Sequence, residues 1–320
     1  MEYERFKYRR KRGAPLKKKW LLISSFLLMI LSGCDNPLLI FDPKGPQAQT
    51  ISDTIFFSIL MMAGILFVVY VLFAFMLVKY RSSKLAADYE PPHEEGSKWL
   101  EITWISIPII IVVILSVVTV RSTVDVENTP KAYANEKPLI VYASSSNWKW
   151  HFSYPEEGIE TVNYVNIPED RPIEFKLYSY GPITSFWIPQ LAGQKYAMSD
   201  MVTTIHLAAD TPGSYIGKNS NFSGKDFAHM EFEAQVLTAK QYDEWVQDVK
   251  ETAPMLTEAE FNHLLEPGIL GRKTYRSTHL GFSPAPEGEH AGHQHEKNAD
   301  MDMGTMHEND STIHGEHQNN

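Results

Sequence analysis

The sequence has very little cysteine: Cys34 is the only one in 320 residues. A single thiol excludes an intrachain disulfide, and it equally excludes any metal site that requires a pair of cysteine ligands. Stability and chemistry in this chain must therefore come from other groups.

Positive charge is scarce outside the N-terminal segment. The formal net charge is −10, and nine of the 29 Lys and Arg residues lie within residues 1–33. Without that segment, which also holds two acidic residues, the formal charge becomes −17. Such an acidic chain is not expected to bind nucleic acid.

The N-terminal segment has the layout of a secretory signal. A basic stretch precedes the apolar run 20–31, and small residues then lead into Cys34, as in a bacterial lipobox. The sequence predicts that residues 1–33 are a lipoprotein signal peptide and that Cys34 carries the lipid, including palmitate. Residues 34–50 would follow as an extracytoplasmic linker. The alternative, a buried helix with a core cysteine, leaves the nine basic residues unexplained.

Charged residues are absent from two later runs, 55–78 and 102–120. Each is long enough to cross a hydrocarbon core of about 30 Å as a helix, so residues 51–121 are predicted to form a membrane hairpin. The connecting loop 79–101 contains four Lys and Arg residues, whereas the stretch before the first helix has only Lys44. We therefore expect a cytoplasmic loop and an extracytoplasmic C-terminal region.

After a connector at 122–138, short apolar or alternating runs recur through residues 139–238, punctuated by Gly and Pro. This pattern predicts an all-β sandwich or barrel. Residues 239–270 show helical periodicity, and Thr257 to Glu260 fits a capping box. Residues 271–320 are polar and rich in His and Met, which predicts a disordered tail.

This order of segments resembles subunit II of the haem–copper oxidases. The aromatic stretch 148–152, the start of the second helix at 100–108, the loop 185–191 and the turn region 212–224 each resemble a motif of that family. The resemblance implies a cupredoxin-like sandwich behind the membrane α hairpin. It covers roughly residues 41–270.

In copper-carrying members of that family, the dinuclear CuA centre uses two Cys, two His, one Met and a backbone carbonyl. Thiolates are needed because soft ligands hold copper. The matching positions here are Thr184, Asn219, Asn221, Ser223, Phe227 and Met230, which we call the degenerate site. Because only Met230 keeps the ligand type, we expect no metal in this chain and a turn with a core methionine.

A subunit II that cannot accept electrons from cytochrome c resembles the quinol oxidase branch of the family. The stretch 38–46 also resembles that branch. The resemblance implies a bacterial cell-membrane complex that oxidises quinol, with menaquinol as one candidate, reduces oxygen to water and translocates protons. Haem and copper would lie in subunit I, this chain would bind no cofactor, and its partners would be subunit I and smaller subunits.

Three residues receive individual interpretations. Glu101, at the start of the second helix, matches a family glutamate at the mouth of a proton pathway, although a solvated first-turn carboxylate is the alternative. Trp148 and Trp150 alternate on a predicted strand, so both are expected to face the same side, and the resemblance implies that this side faces subunit I.

Two other functions remain open from the sequence. One is a CuA-type cytochrome c oxidase subunit, which the missing thiolates disfavour. The other is a lipoprotein that handles copper through its His- and Met-rich tail, which the membrane and tryptophan motifs disfavour because a copper carrier does not need them.

Overall fold

The computed structural model describes residues 38–80 and 96–286. The predictions for the signal peptide, for Cys34, for most of the loop 79–101 and for residues 287–320 lie outside this part of the chain.

Two long helices, α1 (Pro46–Lys79) and α2 (Lys98–Glu127), carry the charge-free runs. Both are long and apolar enough to cross a membrane, and both extend beyond the predicted 55–78 and 102–120. Pro46 opens α1, where its fixed φ suits the first turn. The side chains of Thr54 and Ser122 form a hydrogen bond of 2.7 Å between the helices.

Eleven strands among the described residues form two sheets. One sheet has the order β11-β3-β2-β1-β5-β8, and the other has the order β4-β10-β9-β6-β7. The pairs β1–β5 and β4–β10 are parallel, and the remaining pairs are antiparallel. The strands are β1 Leu139–Ser146, β2 Lys149–Tyr154, β3 Ile159–Val162, β4 Tyr164–Pro168, β5 Ile173–Ser179, β6 Thr184–Trp187, β7 Gln194–Ala197, β8 Thr203–Leu207, β9 Gly213–Asn219, β10 Glu231–Leu237 and β11 Lys273–Tyr275. The predicted combination of two apolar helices with an all-β sandwich is confirmed.

Aromatic rings fill the space between the sheets. Phe186 and Phe232 stack with centroids 5.1 Å apart, and Trp150 meets each of them edge-on. A Cβ at Gly217 would lie 2.1 Å from the Phe232 ring, so this position requires glycine. The core therefore extends to the strands that hold the degenerate site.

Two helices follow the sandwich, α3 (Ala239–Thr252) and α4 (Glu258–Leu265). The complete capping box lies at Thr238 and Gln241, where the sequence reading did not place one. At the predicted position only half of a box forms, because the Glu260 carboxylate accepts hydrogen bonds from Lys273 and Tyr275 instead.

The prediction that disorder begins at residue 271 is wrong for residues 271–286. Here β11 pairs with β3 and extends the sheet, and Tyr275 and His279 are buried. The sequence did not indicate this because a three-residue strand is too short to show a period.

Candidate functional site

The degenerate site is brought together by the pairing of β6 with β9. Phe186 lies opposite Asn219 across this pair, and the Ser220 amide donates to the Ser185 carbonyl at 3.0 Å. The two segments that the resemblance aligns with copper-binding segments are therefore adjacent. Their side chains, however, bond to each other and to the surrounding protein.

Asn219 is the centre of the hydrogen-bond network at this site. Its side chain is almost fully buried, and its Nδ2 donates to Ser223 Oγ at 2.9 Å. Its Oδ1 accepts from the backbone N–H groups of Ser185 and Asn221, at 2.9 and 3.0 Å. One amide thus ties together Asn219 and Ser223, the two positions that the resemblance aligns with bridging thiolates, and orders the loop between them.

The other positions are also occupied by protein contacts. Thr184 is buried and shares a 2.7 Å hydrogen bond with Ser145, and Asn221 Nδ2 donates to the Ile183 carbonyl at 2.9 Å. The ring of Phe227 packs edge-on against Phe222, with centroids 5.0 Å apart. Met230 is buried in the core.

This donor set does not fit a CuA centre. Two hydroxyls, two carboxamides and a phenyl ring stand where thiolates, imidazoles and a carbonyl donor would be required, and Met230 supplies the only soft atom. Within residues 38–80 and 96–286, no group of three or more His, Cys, Asp or Glu side chains could hold a metal ion.

Trp148 adjoins this site but does not lie on a strand. It occupies the turn before β2 with φ of +140°, and its Nε1 donates to the Ser223 carbonyl at 3.1 Å. Gly224, with φ of +114°, approaches the same ring so closely that a Cβ would lie 3.1 Å away. The half-buried indole therefore braces the loop and still presents part of its surface outward.

Trp150 is fully buried between the two sheets, with Phe186 and Phe232 5.4 and 5.7 Å from its ring centre. The prediction that its side chain faces subunit I together with Trp148 is therefore wrong. The two residues do not alternate along one strand, because the chain turns between them and only Trp150 belongs to β2.

Glu101 lies in the first turn of α2, and its side chain is exposed. This position suits either of the two interpretations, because a carboxylate near a helix N-terminus is favoured by the helix dipole whether or not it handles protons.

A buried polar cluster on the outer face of the first sheet was missed from the sequence. His279 Nδ1 lies 2.7 Å from the carboxylate of Glu160, and its Nε2 lies 2.6 Å from the Tyr178 hydroxyl. Ser153 also donates to Glu160, at 2.9 Å. Both members of the Glu160–His279 pair are fully buried.

His151 lies in the same region and bonds Ser146 through Nε2 at 2.9 Å. Burial, reinforced by the nearby His279 and Lys149, lowers the pKa of His151 to about 3. His151 and Ser153 alternate with the core residues Trp150, Phe152 and Tyr154 along β2. Such alternation is typical of a strand whose polar side chains face solvent. Only the structure shows that residues 256–283, which we call the cover segment, lie over them.

Comparisons with known proteins agree with this architecture. Residues 38–121 match the family described as "Cytochrome C oxidase subunit II, transmembrane domain". A protein named quinol oxidase subunit 2 from Bacillus cereus is 46% identical over 287 residues, which are 88% of this chain and 99% of that protein.

A second protein of the same name, from Bacillus subtilis strain 168, is 45% identical over 269 residues, or 83% of each chain. Among solved structures, the periplasmic domain of subunit II of cytochrome oxidase from Bradyrhizobium japonicum is similar, with 23% identity and a TM-score of 0.36. That likeness covers 39% of this chain and 98% of the domain.

Proposed function

Since the chain belongs to the quinol oxidase subunit 2 family and is a subunit of a terminal quinol oxidase, we propose that it supports this complex without relaying electrons itself. The complex oxidises quinol in the membrane, reduces oxygen to water and translocates protons. Haem and copper reside in subunit I, and this chain binds neither. The sandwich is the cupredoxin-like domain of the family.

One observation carries the proposal that this subunit relays no electrons. Asn219 bonds Ser223 and the two backbone amides nearby, so the positions of both bridging thiolates are committed to a hydrogen-bonded turn. A soluble electron donor such as cytochrome c then finds no surface acceptor in this chain. Quinol does not need a surface acceptor, because it diffuses within the bilayer to the catalytic subunit.

The remaining roles of this chain are packing against subunit I and proton entry. We assign part of the surface of α1 and α2 to packing against subunit I, and lipid covers the rest of their exposed apolar surface. Trp148 contributes a contact to subunit I beside the degenerate site. Glu101, on the cytoplasmic side, lies at the mouth of a proton path into subunit I.

The membrane topology belongs to the same proposal. The chain is anchored by lipid at Cys34 and crosses the membrane twice, and its β domain is extracytoplasmic. The charge-free runs and the basic loop between them support this arrangement.

The test is oxygen uptake by the purified complex, offered reduced quinol and reduced cytochrome c separately. Low ionic strength favours docking of a basic cytochrome on this acidic chain, so the negative result is obtained under the most permissive condition. We expect turnover with quinol alone. Rapid turnover with cytochrome c and none with quinol would contradict the proposal.

A further inference from the structure

Tyr178 lies at the end of a row of three buried polar residues under the cover segment. Its hydroxyl lies 2.6 Å from His279 Nε2, and His279 Nδ1 lies 2.7 Å from the Glu160 carboxylate. Tyr178 is 1% exposed, and both members of the Glu160–His279 pair are fully buried. The proposed function of this chain uses none of the three.

The hydrogen bonds around Glu160 assign the protons in this row. The carboxylate accepts from the Ser153 hydroxyl at 2.9 Å and from the His279 backbone N–H at 2.8 Å, so it acts as an acceptor on every side. Nδ1 of His279 is therefore the protonated nitrogen, and Nε2 keeps a lone pair. The Tyr178 hydroxyl donates its hydrogen to that lone pair.

The Tyr178 proton stays on its oxygen until an electron leaves the ring. Burial, reinforced by the neighbouring Tyr180, raises the pKa of Tyr178 well above its usual value. A phenol that has lost one electron is, in contrast, a strong acid and releases its proton to a base within reach. Nε2 is such a base, and its distance of 2.6 Å allows direct proton transfer.

Tyr154 shows the contrasting case of a buried tyrosine without a base. It is fully buried, and its hydroxyl donates to the Asn166 carbonyl at 3.0 Å. A backbone carbonyl does not take up a proton at neutral pH, so oxidation of Tyr154 would leave a buried positive charge, which is costly. Oxidation of Tyr178 instead moves a proton to an imidazole that faces a carboxylate.

Two other tyrosines connect Tyr178 to the surface of the domain. The ring centroids of Tyr180 and Tyr142 lie 5.5 and 6.5 Å from that of Tyr178, and both residues are partly exposed. Electrons can cross such short separations, so an oxidant does not need to touch Tyr178 itself. Phe261 stacks on the His279 imidazole at 4.3 Å and holds it in place.

The class of oxidant follows from the surroundings of the chain. It is a subunit of an oxidase, and organic peroxyl radicals form where oxygen adds to carbon-centred radicals. Such radicals take one electron and one proton from phenols. This choice of oxidant rests on the oxygen-reducing activity of the complex, whereas the redox step at Tyr178 rests on the geometry alone.

We propose that Tyr178 is a one-electron donor that reduces radical oxidants of the peroxyl class. One electron leaves the Tyr178 phenol for the oxidant, the O–H bond breaks, and the proton moves to His279 Nε2. The peroxyl radical gains this electron and a proton from water and becomes a hydroperoxide. The products in the chain are a neutral tyrosyl radical and an imidazolium that faces the Glu160 carboxylate.

Flash photolysis of the purified full-length chain in detergent micelles tests this step, because it separates the tyrosines from the haem of subunit I. A ruthenium polypyridyl complex, photo-oxidised in the presence of a cobalt(III) ammine, supplies the one-electron oxidant. Tyrosyl radicals are followed by transient absorbance and, after freezing, by electron paramagnetic resonance. Tyr154→Phe is the matched control for Tyr178→Phe, because it removes an equally buried hydroxyl from the same sandwich.

We expect a persistent tyrosyl radical in the wild type and in Tyr154→Phe, after the radicals on exposed rings have decayed, and the loss of most of it in Tyr178→Phe. In His279→Gln, which keeps a donor for Glu160 but no base, the radical should form about a hundredfold more slowly. An equal radical yield in Tyr178→Phe and the wild type would overturn the proposal, and so would an unchanged rate in His279→Gln.

Alkylperoxyl radicals from an azo initiator test the class of oxidant. They should produce the same persistent radical in the wild type, together with one hydroperoxide for each radical. A radical that appears with the ruthenium oxidant but not with peroxyl radicals would contradict this part of the proposal.

The wild-type chain with isotopically labelled histidine keeps the test decisive where a variant fails to fold. A radical on Tyr178 accepts a hydrogen bond from the protonated Nε2, so its resonance spectrum should show coupling to a histidine nitrogen. A persistent radical without this coupling would overturn the assignment. Oxygen uptake with quinol is a separate measurement, so failure here leaves the proposed function of the subunit intact.

Discussion

Single side chains decide what the loop after β9 can bind. Asn219, which the resemblance aligns with a bridging thiolate, makes three hydrogen bonds, one to a side chain and two to backbone amides. A hard amide can order the loop in this way, but it cannot hold copper. The loop is thus ordered by hydrogen bonds within the protein.

Restoring the ligands should restore the metal. A variant with Asn219→Cys, Ser223→Cys, Thr184→His and Phe227→His, together with Met230, carries the side-chain donors of a dinuclear copper centre. We expect about two copper atoms per chain in this variant and none in the wild type, measured by elemental analysis with the tail removed from both. The double cysteine variant, without the imidazoles, is the control and should hold less copper. Stoichiometric copper in the truncated wild type would contradict the assignment.

His151 should make the domain sensitive to acid. Its pKa is lowered from 6.5 to about 3 by burial, so the unfolded chain binds a proton in this interval that the folded chain does not. The unfolding free energy is therefore highest above pH 6.5, where His151 is neutral in both states. It falls by about 1.4 kcal/mol per pH unit as the pH decreases from 6.5 toward 3.

The measurement is the unfolding free energy of the purified chain at several pH values, compared with His151→Gln, which keeps a donor for Ser146 without an acid-titrating group. The difference between the two chains should change with pH only below about 6.5. Parallel pH profiles would show that His151 is not the titrating group.

The cover segment packs on the outer face of the first sheet and buries polar side chains that the sequence pattern places in solvent. The Phe261 ring stacks on His279 with centroids 4.3 Å apart, and Lys149 donates to the Glu266 carbonyl. Polar residues on the outer face of β2 and β3 therefore find protein partners instead of water.

Removing the buried contact between Glu160 and His279 under this segment should destabilise the domain. His279→Ala removes the buried imidazole that bonds both the Glu160 carboxylate and the Tyr178 hydroxyl, so we expect a loss of about 2 to 4 kcal/mol in unfolding free energy. His263→Ala on α4 removes a similar but exposed contact with Glu266 and should cost less than about 1 kcal/mol. Chemical denaturation of both variants checks this, and equal losses would argue against a stabilising contact between Glu160 and His279.

The sequence predicts elements best where a long period or a long apolar run exists. The two membrane helices, β2, β5 and β10 are of this kind. It misses β3, β6, β7 and β11 because each is only three or four residues long. It misses β9 because Gly213 and Gly217 make that stretch look like a turn.

Contacts between residues that are distant in sequence were also missed. The partner of Glu160 lies 119 residues away at His279, and no local pattern reports such a contact. The degenerate site was easier to find, because a family motif fixes its spacing even though its ligands have changed.

For the whole molecule, the hairpin should hold the chain in the membrane without the lipid. We predict that Cys34→Ala prevents lipidation and signal cleavage but leaves the protein in the membrane fraction, because α1 and α2 still span the bilayer. Metabolic labelling with a fatty acid, followed by carbonate extraction, measures both properties.

A variant in which α1 and α2 are deleted but Cys34 is kept provides the control, since lipid alone should then retain the chain. Release of Cys34→Ala into the medium would show that the hairpin does not span.

The place of β11 at the edge of its sheet has a consequence for biogenesis. Ribosomes build chains from the N-terminus, so β3 is complete more than 100 residues before the strand that caps it. Until residues 273–279 emerge, an open β edge and an uncompensated Glu160 remain available to chaperones and proteases. The sheet edge and the buried Glu160 contact are therefore completed only when residues 273–279, near the end of the described region, are in place.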